Sequence, residues 1–431
     1  MKRGDRRIIN GWAFYDWANS AFPLVITTAI FPIFYANETT RTIDGKEIDT
    51  VTLFGFEFTN TVLKSYTLAL AFLIIALISP FLSGIADHIG RKKLFLKSFC
   101  YTGATACALL SLFQVEYLSL GMLSFLIATI GFWGSLVFYN AFLPEIAEEK
   151  DQDRVSAKGF SLGYIGSSIL LILCLCGVMF PGSLGFSNAE MPTRLSFVLV
   201  GLWWAGFAQV TFSRLPDSVY PRKKSGNPFT QGFKELQGVW RELKELPALT
   251  KYLTAFFVFN TGVQTVMLVA VDFGKKEIDG IQDDNMIIAV LLIQFVAIGG
   301  AYFFSALSSW IWNIKALGTA ILIWVLVCML AYFIVTPTGF YVLAALVGFV
   351  MGGIQSLARS TYSKYLPETK DHASFFSFYD VSEKIGIMTG LFIYGSIEEL
   401  TGSMRNSVLF LIAIFVLGAI LLMRVPARET E

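Results

Sequence analysis

The sequence predicts an all-α membrane protein whose twelve transmembrane helices form two six-helix halves. Three observations predict it: a composition too apolar for water, twelve apolar runs of membrane-crossing length, and a distribution of Lys and Arg that alternates in step with those runs.

The chain has 431 residues, 55% hydrophobic and only 15% charged, where a soluble domain carries about 25% charged residues. A net charge of +1 supplies none of the basic excess that nucleic-acid binding requires. Cys100, Cys107, Cys174, Cys176 and Cys328 all fall inside apolar runs and are expected to be small hydrophobes, neither disulfides nor metal ligands. His88 and His372 fall in polar connections, and no histidine metal site is expected within the membrane. The opening MKRGDRRIIN resembles the basic region of a signal peptide. The apolar run after it contains Asp16 and Asn19 and lacks a clear small-residue cleavage site, so it is expected to be a retained first helix.

A helix that crosses the hydrocarbon needs about 20 mostly apolar residues. Candidate runs lie near 11–36, 61–86, 94–114, 118–142, 159–180, 194–213, 251–272, 286–307, 316–335, 339–362, 374–397 and 406–424. With both termini cytoplasmic, the inner segments and helix ends hold 25 of the 33 Lys and Arg. The outer side holds Arg41, Lys46, Lys64, Arg194, Lys275, Lys276 and Arg405, and Lys384 lies within a span. This is the excess of positive charge inside that fixes orientation, and one missed span would scramble it. The longest inner connection, 214–250, contains Pro221 and Pro228 and divides residues 1–213 from 251–431. Within it Phe233, Leu236, Trp240 and Leu243 recur at helical spacing among Lys234, Arg241 and Lys244. The pattern suits an amphipathic helix on the inner membrane surface or a solvated linker helix.

The two halves echo one another. Leu143-Pro144-Glu145 and Leu366-Pro367-Glu368 each mark a helix exit, and Phe160-Ser161 and Phe376-Ser377 each open the next helix. Asn19 and Asn260 lie early in the first and seventh spans, and these matches share an offset of a little over 200 residues. Six-helix halves repeated in one orientation are a transporter construction.

Between spans two and three the chain reads SGIADHIGRKK, Ser83 to Lys93. This resembles the major facilitator signature, Gly-x-Leu-Ala-Asp-Arg-x-Gly-Arg-Lys, with matches at Asp87, Gly90, Arg91 and Lys92; Ser83 stands at the first Gly, with Gly84 beside it. The equivalent SALSSWIWNIK after span eight has lost the Asp. GWAFYDWANSAF (Gly11 to Phe22), GGIQSLARSTYSKYLPE (Gly352 to Glu368) and FFSFYDVSEKIG (Phe375 to Gly386) are similar to blocks of the "unknown major facilitator" branch, which includes fungal vacuolar amino-acid effluxers of autophagy. The resemblance spans nearly the whole chain. It implies the twelve-helix major facilitator fold and transport, with amino-acid efflux as an analogy. It also implies that the signature loop latches the halves beside the start of the eleventh helix. There Asp87 would meet a positive helix N-terminus, and Glu145 and Glu368 would partner basic loop residues such as Arg91 and Lys92. The alternative is that these groups only fix topology.

Ionisable groups inside a membrane are costly, which makes them functional candidates. Asp16, Arg359, Asp380, Glu383 and Lys384 stand out. Asp16 and Asn19 share a helix face, as do Gln355 and Arg359. At about 1.5 Å per residue, Asp16 and Asp380 lie roughly 8–9 Å inside their helix ends, with Lys384 near the midplane. Asn260 and Gln264 share one side of the seventh helix. Each has a plainer reading: Asp380 and Lys384 as a mutually neutralising i,i+4 pair, Asp16 as a hydrogen-bond post for Asn19 or Arg359, Arg359 and Lys64 as snorkelling residues, the amides as helix–helix ties. Trp12, Phe14, Tyr15 and Trp17 suit an interfacial anchor better than a ligand cage.

These features predict a secondary transporter, not an enzyme: the sequence holds no HExxH or P-loop. The expected substrate is a small polar or zwitterionic solute, amino acids by analogy, exported by rocking of the halves. Protons are the candidate coupling ion, through Asp16, Asp380 or Glu383, because burial raises a carboxyl pKa. The alternatives are a carrier of amphiphiles such as lysolipids and a solute sensor without flux. No cofactor, metal or nucleic acid is expected. The chain is expected to act as a monomer surrounded by lipid in a bacterial-type plasma (inner) membrane. Single cysteines at Ser225 and Asp44, in a cysteine-free background, should react with an impermeant maleimide in intact cells only at 44; labelling only at 225 reverses the topology.

Overall fold

Lipid offers a backbone no hydrogen-bond partner, so each apolar run must close its bonds within itself. The chain does this in twelve long helices, seen in a computed structural model that describes residues 3–43, 46–217 and 227–426. Pro221 and the label positions Asp44 and Ser225 lie outside the described residues. Six spans come first: α1 (Arg6–Thr39), α2 (Asn60–Ile89), α3 (Lys92–Leu109), α4 (Leu118–Asn140), α5 (Gln152–Met179) and α6 (Glu190–Arg214). The linker helix α7 (Pro228–Glu245) separates them from α8 (Pro247–Glu277), α9 (Asp283–Ile311), α10 (Asn313–Phe333), α11 (Pro337–Tyr365), α12 (His372–Thr401) and α13 (Met404–Met423). The spans run a few residues beyond their apolar cores.

Among the described residues eleven helices are long and apolar enough to cross a membrane. The exception is α12, which Asp380, Glu383, Lys384, Glu398 and Glu399 punctuate. Its first half is buried on protein, including Ser377, Asp380 and Lys384, so those two charges lie against protein.

The first and last described residues, Arg3 and Pro426, and α7 lie at one end of the bundle, the terminal face. The other end carries a feature that the hydropathy pattern did not announce. Residues between α1 and α2 form two antiparallel hairpins, β1 (Arg41–Ile43) with β2 (Lys46–Ile48) and β3 (Thr50–Leu53) with β4 (Phe56–Thr59). This is the hairpin face. α1 also departs from a regular helix: Phe22–Ile30 is wound as a π-helix with Pro23 in its first turn.

The repeat exists in three dimensions. Arg194 opens α6 and donates to the carbonyls of Ser111 (3.2 Å) and Phe113 (2.5 Å) after α3 and to Glu38 of α1 (3.4 Å). Arg405 opens α13 and donates to the carbonyls of Tyr332 (2.7 Å) and Ile334 (2.8 Å) at the end of α10 and to Glu277 of α8 (2.9 Å). In each set of six, the last helix thus brings a cation to the orphan carbonyls of the third and to an acid ending the first. Unsatisfied carbonyls at a helix C-terminus attract such a cation.

The linker helix neither floats in solvent nor rests on lipid alone. Its Gly232 backbone lies against Gly84 and Ile85 of α2, Val239 and Leu243 are buried, and Trp240 packs on Phe378 of α12 with ring centroids 5.5 Å apart. Phe233 and Trp240 remain exposed and present the apolar edge read from the sequence. A Cβ on residue 84 would lie 2.2 Å from the Gly232 carbonyl oxygen. Gly84→Val should therefore lift α7 from α2 and destabilise the fold by about 1–3 kcal/mol, the usual range for overpacking. Thermal unfolding measures the loss, and an unchanged midpoint would show that α7 does not dock there.

Candidate substrate cavity and gates

A cavity of about 260 Å³ lies between the first six and last six spans. It extends from Asp16 and Arg359 on the terminal side towards Thr27, Leu68, Val271 and Val290 on the hairpin side. Aromatic side chains, among them Phe72, Phe132, Trp133, Phe160, Phe259 and Tyr379, make much of its wall. Of the residues expected at a site, Asp16, Asn19, Asn260, Gln264, Gln355, Arg359 and Glu383 line it. Asp380 and Lys384 are not part of the lining.

The ionisable residues fall into two clusters. At the cavity floor Arg359 of α11 meets Asp16 of α1 at 3.4 Å, both almost fully buried. Tyr139 of α4 donates its hydroxyl to the same Asp16 oxygen at 2.8 Å. Arg359 also donates to Asn140 (3.3 Å) and to the hydroxyl and carbonyl of Ser156 (3.0 Å each). Its guanidinium lies 4.2 Å from the Phe160 ring centre and 4.9 Å from that of Trp12. Such rings stabilise a desolvated cation. Arg359 therefore does not snorkel, and Trp12, 0% exposed and stacked on Tyr139 at 4.5 Å, is not an interfacial anchor but part of this cage. Tyr15 is equally buried.

The second cluster belongs to α12. Lys384, 0% exposed, donates to Asp380 (2.5 Å) and Glu383 (2.9 Å) and rests 3.9 Å from the Trp133 ring centre. Ser79 of α2 donates to Asp380 at 3.4 Å. Gln264 of α8 donates to Glu383 at 2.9 Å, and Glu383 alone of the three faces the cavity. Between the clusters, Tyr164 donates to Gln355 at 2.8 Å across the two sets of helices.

Below the floor, two candidate gates, each a polar cluster, join the sets at the terminal face. In the first, Asp87 at the end of α2 accepts from the backbone N–H of Ala373 (3.3 Å) and Ser374 (2.7 Å) in the first turn of α12. The orphan donors and positive end of that helix explain why an acid belongs there. Gly90 makes the sharp exit possible: it caps α2 in the left-handed conformation, φ +64°, where glycine has no Cβ penalty. Lys92 pairs with Glu145, which His372 also contacts at 2.8 Å, so His372 sits inside the gate and not in a polar loop. Lys93 ties in the α6 exit through the Leu215 carbonyl (2.8 Å) and Asp217 (2.9 Å). Its hydrogen bond and charge hold that exposed carboxyl below its ordinary pKa. Arg91 and Glu368 are exposed and make no ion pair among the described residues.

The second gate was not visible in the sequence. Asp153, in the first turn of α5, accepts from Ser308 of α9 (2.9 Å), Asn313 of α10 (2.8 Å) and Lys364 of α11 (2.7 Å). It stands among acids in a run, EEKDQDR, that gives no reason to prefer it. Trp312 occupies the position of Gly90 in the weakened copy of the signature and also has positive φ, +75°. The left-handed cap is not reproduced there, since ψ is 152° at Trp312 against 29° at Gly90. Tyr139 and Asn140 were also missed, although two adjacent polar groups ending an apolar span were a usable signal.

Removing Lys384 alone strands two buried carboxylates. Lys384→Met should cost about 3–5 kcal/mol, as breaking a buried ion pair does, and Asp380→Asn added to it should recover a large part. Thermal stability of the single and double variants measures this, and equal losses in both would show that the pair is not coupled.

Residues 4–431 match the family model described as "Vacuole effluxer Atg22 like". An uncharacterized MFS-type transporter of Bacillus subtilis, YxiO, is 33% identical over 425 residues, covering 98% of this chain and 95% of that protein. Autophagy-related protein 22-1 of Penicillium rubens is 24% identical, covering 84% and 75%. In fold the chain is similar to the major facilitator transporter FucP in its outward conformation, with TM-score 0.68, 15% identity and 99% of both chains covered. The chain belongs to the Atg22-like vacuole effluxer family of major facilitator transporters.

Proposed function

We propose that the chain carries a small polar or zwitterionic solute, amino-acid-like in size, through this cavity by rocking residues 1–213 against 251–431, with protons as the coupling ion. Both termini and the 214–250 linker lie on the cytoplasmic side in this reading, and the direction is efflux by analogy with the family. The observation that carries it is a largely apolar, aromatic-lined cavity whose floor is an ion pair shared between the two sets of helices, Asp16 with Arg359. Such a floor opens when the sets part.

Size favours a small solute over an amphiphile. About 260 Å³ is below the roughly 300–1,000 Å³ typical of pockets for drug-sized ligands. Charge favours a cationic group or a proton. Three acids, Asp16, Asp380 and Glu383, face two bases, Arg359 and Lys384, which leaves one negative charge over when all are ionised. Glu383 faces the cavity and is the group that a proton or a solute ammonium reaches. The two gates suit a protein that must open and reseal, which a sensor without flux does not require.

Flux is the test. Purified protein in proteoliposomes should exchange labelled leucine, and an imposed pH gradient should accelerate net movement. Glu383→Gln should keep exchange and lose the acceleration. Binding without flux across amino acids, small amines and sugars would turn the reading to a sensor. Equal acceleration in Glu383→Gln would remove that carboxyl from the coupling.

A further inference from the structure

Two buried amides in the cavity wall have NH2 groups with no hydrogen-bond partner among the described residues. Asn19 of α1 is 1% exposed and Asn260 of α8 is 5% exposed. The Nδ2 of each is buried without a hydrogen-bond acceptor. Among the described residues, they are the two side chains with such an orphaned buried atom that also line the cavity. Native structures satisfy nearly all buried polar groups, and an orphaned donor costs stability that nothing in the apo fold returns. The only polar neighbour shown for the Asn19 amide is Ser20, which donates to its Oδ1 at 3.4 Å and leaves the NH2 end unspent.

Their positions are related by the repeat. α1 and α8 are the first spans of the two sets, and the caps at Glu38 and Glu277 show the same correspondence. A group held by both amides therefore bridges the two bodies that must move. Neutral N–H donors take acceptor oxygens. Glu383, on the same cavity, repels a bare anion, so the charge it attracts is the solute's cationic end and the oxygens point away from it.

We propose that Asn19 and Asn260 are the two arms of a clamp for the oxygen-bearing end, such as a carboxylate, of the transported solute. The proposal rests on the transport reading for the place of the solute and adds the residues and the group they hold. Because the arms come from different halves, both engage only when the cavity walls stand at the right separation, which ties occupancy to closure.

Leucine, leucinol and isoamylamine share an amine and an apolar tail and differ at the oxygen end. Thermal shifts of the purified full-length protein give a Kd for each. Wild type should bind leucine at least about tenfold tighter than isoamylamine, the value of one or two added hydrogen bonds. Asn19→Leu and Asn260→Leu should each lose most of that ratio, keep the isoamylamine affinity, and melt at or above the wild-type temperature because an unpaired buried donor is gone. A variant that melts lower marks its amide as structural and overturns the proposal. So does a wild type that responds to the three probes alike or to none, or a variant that keeps the wild-type ratio. Wild-type discrimination lost in the variants, with no flux of any probe, leaves the clamp standing and defeats the transport reading. Leucine flux with unchanged discrimination does the reverse.

Discussion

A charge in hydrocarbon must be paired, and much of this structure follows from that requirement. Asp16, Arg359, Asp380, Glu383 and Lys384 cannot face lipid without a cost of a few kcal/mol or more each. They are drawn to the seam between the two sets of six spans, where partners exist. α12 shows the effect most clearly. Its Lys384 lies between two carboxylates and over Trp133, so a helix too charged to count as a membrane span on its own can cross one. On α1 and α11 the pairing is made between sets, which turns the closing of the cavity floor into an electrostatic event.

The two candidate gates show how a repeated fold diverges while keeping a polar contact. After α2 the loop supplies the acid, Asp87, and α12 supplies backbone donors. After α9 the loop supplies donors, Ser308 and Asn313, and α5 supplies the acid, Asp153. The polarity is exchanged while the contact is kept. The turn itself differs: Gly90 and Trp312 share a positive φ, but their ψ angles are 29° and 152°. A tryptophan in that region carries strain on the order of 1–3 kcal/mol.

The sequence made the spans legible because burial in lipid imposes a length and a composition on each. It exposed the amphipathic edge of α7 through Phe233 and Trp240 for the same reason. The charged residues of the cavity were legible because a charge in an apolar run is conspicuous. Their partners were legible in part: the i,i+4 spacing offered Asp380 with Lys384, and Arg359 was one of two candidates for Asp16. Tyr139, Ser156 and Asp153 are ordinary residues until the fold brings them together. The hairpins between α1 and α2 were hidden because the segment is short and mixed, and outside the membrane no hydropathy rule applies. Trp12 misled because a tryptophan near a helix end suits an interface, and only the cation beneath it accounts for its burial.

The division of labour in the cavity follows from how fully Arg359 is engaged. Its nitrogens are directed to Asp16, Asn140 and Ser156, and rings of Trp12, Tyr139 and Phe160 lie near the guanidinium. A solute carboxylate could reach it only by displacing Asp16, which would leave that acid buried and unpaired at a cost of several kcal/mol. An arginine so committed serves the floor, not the cargo. Binding then falls to groups that can be satisfied and released cheaply. A neutral amide hydrogen bond contributes about 0.5–1.5 kcal/mol net, against about 1.5–3 for one to a charged group. A transporter must let go of what it holds, and in the proposed clamp weak neutral donors above the Asp16–Arg359 ion pair let the floor hold while the solute comes and goes.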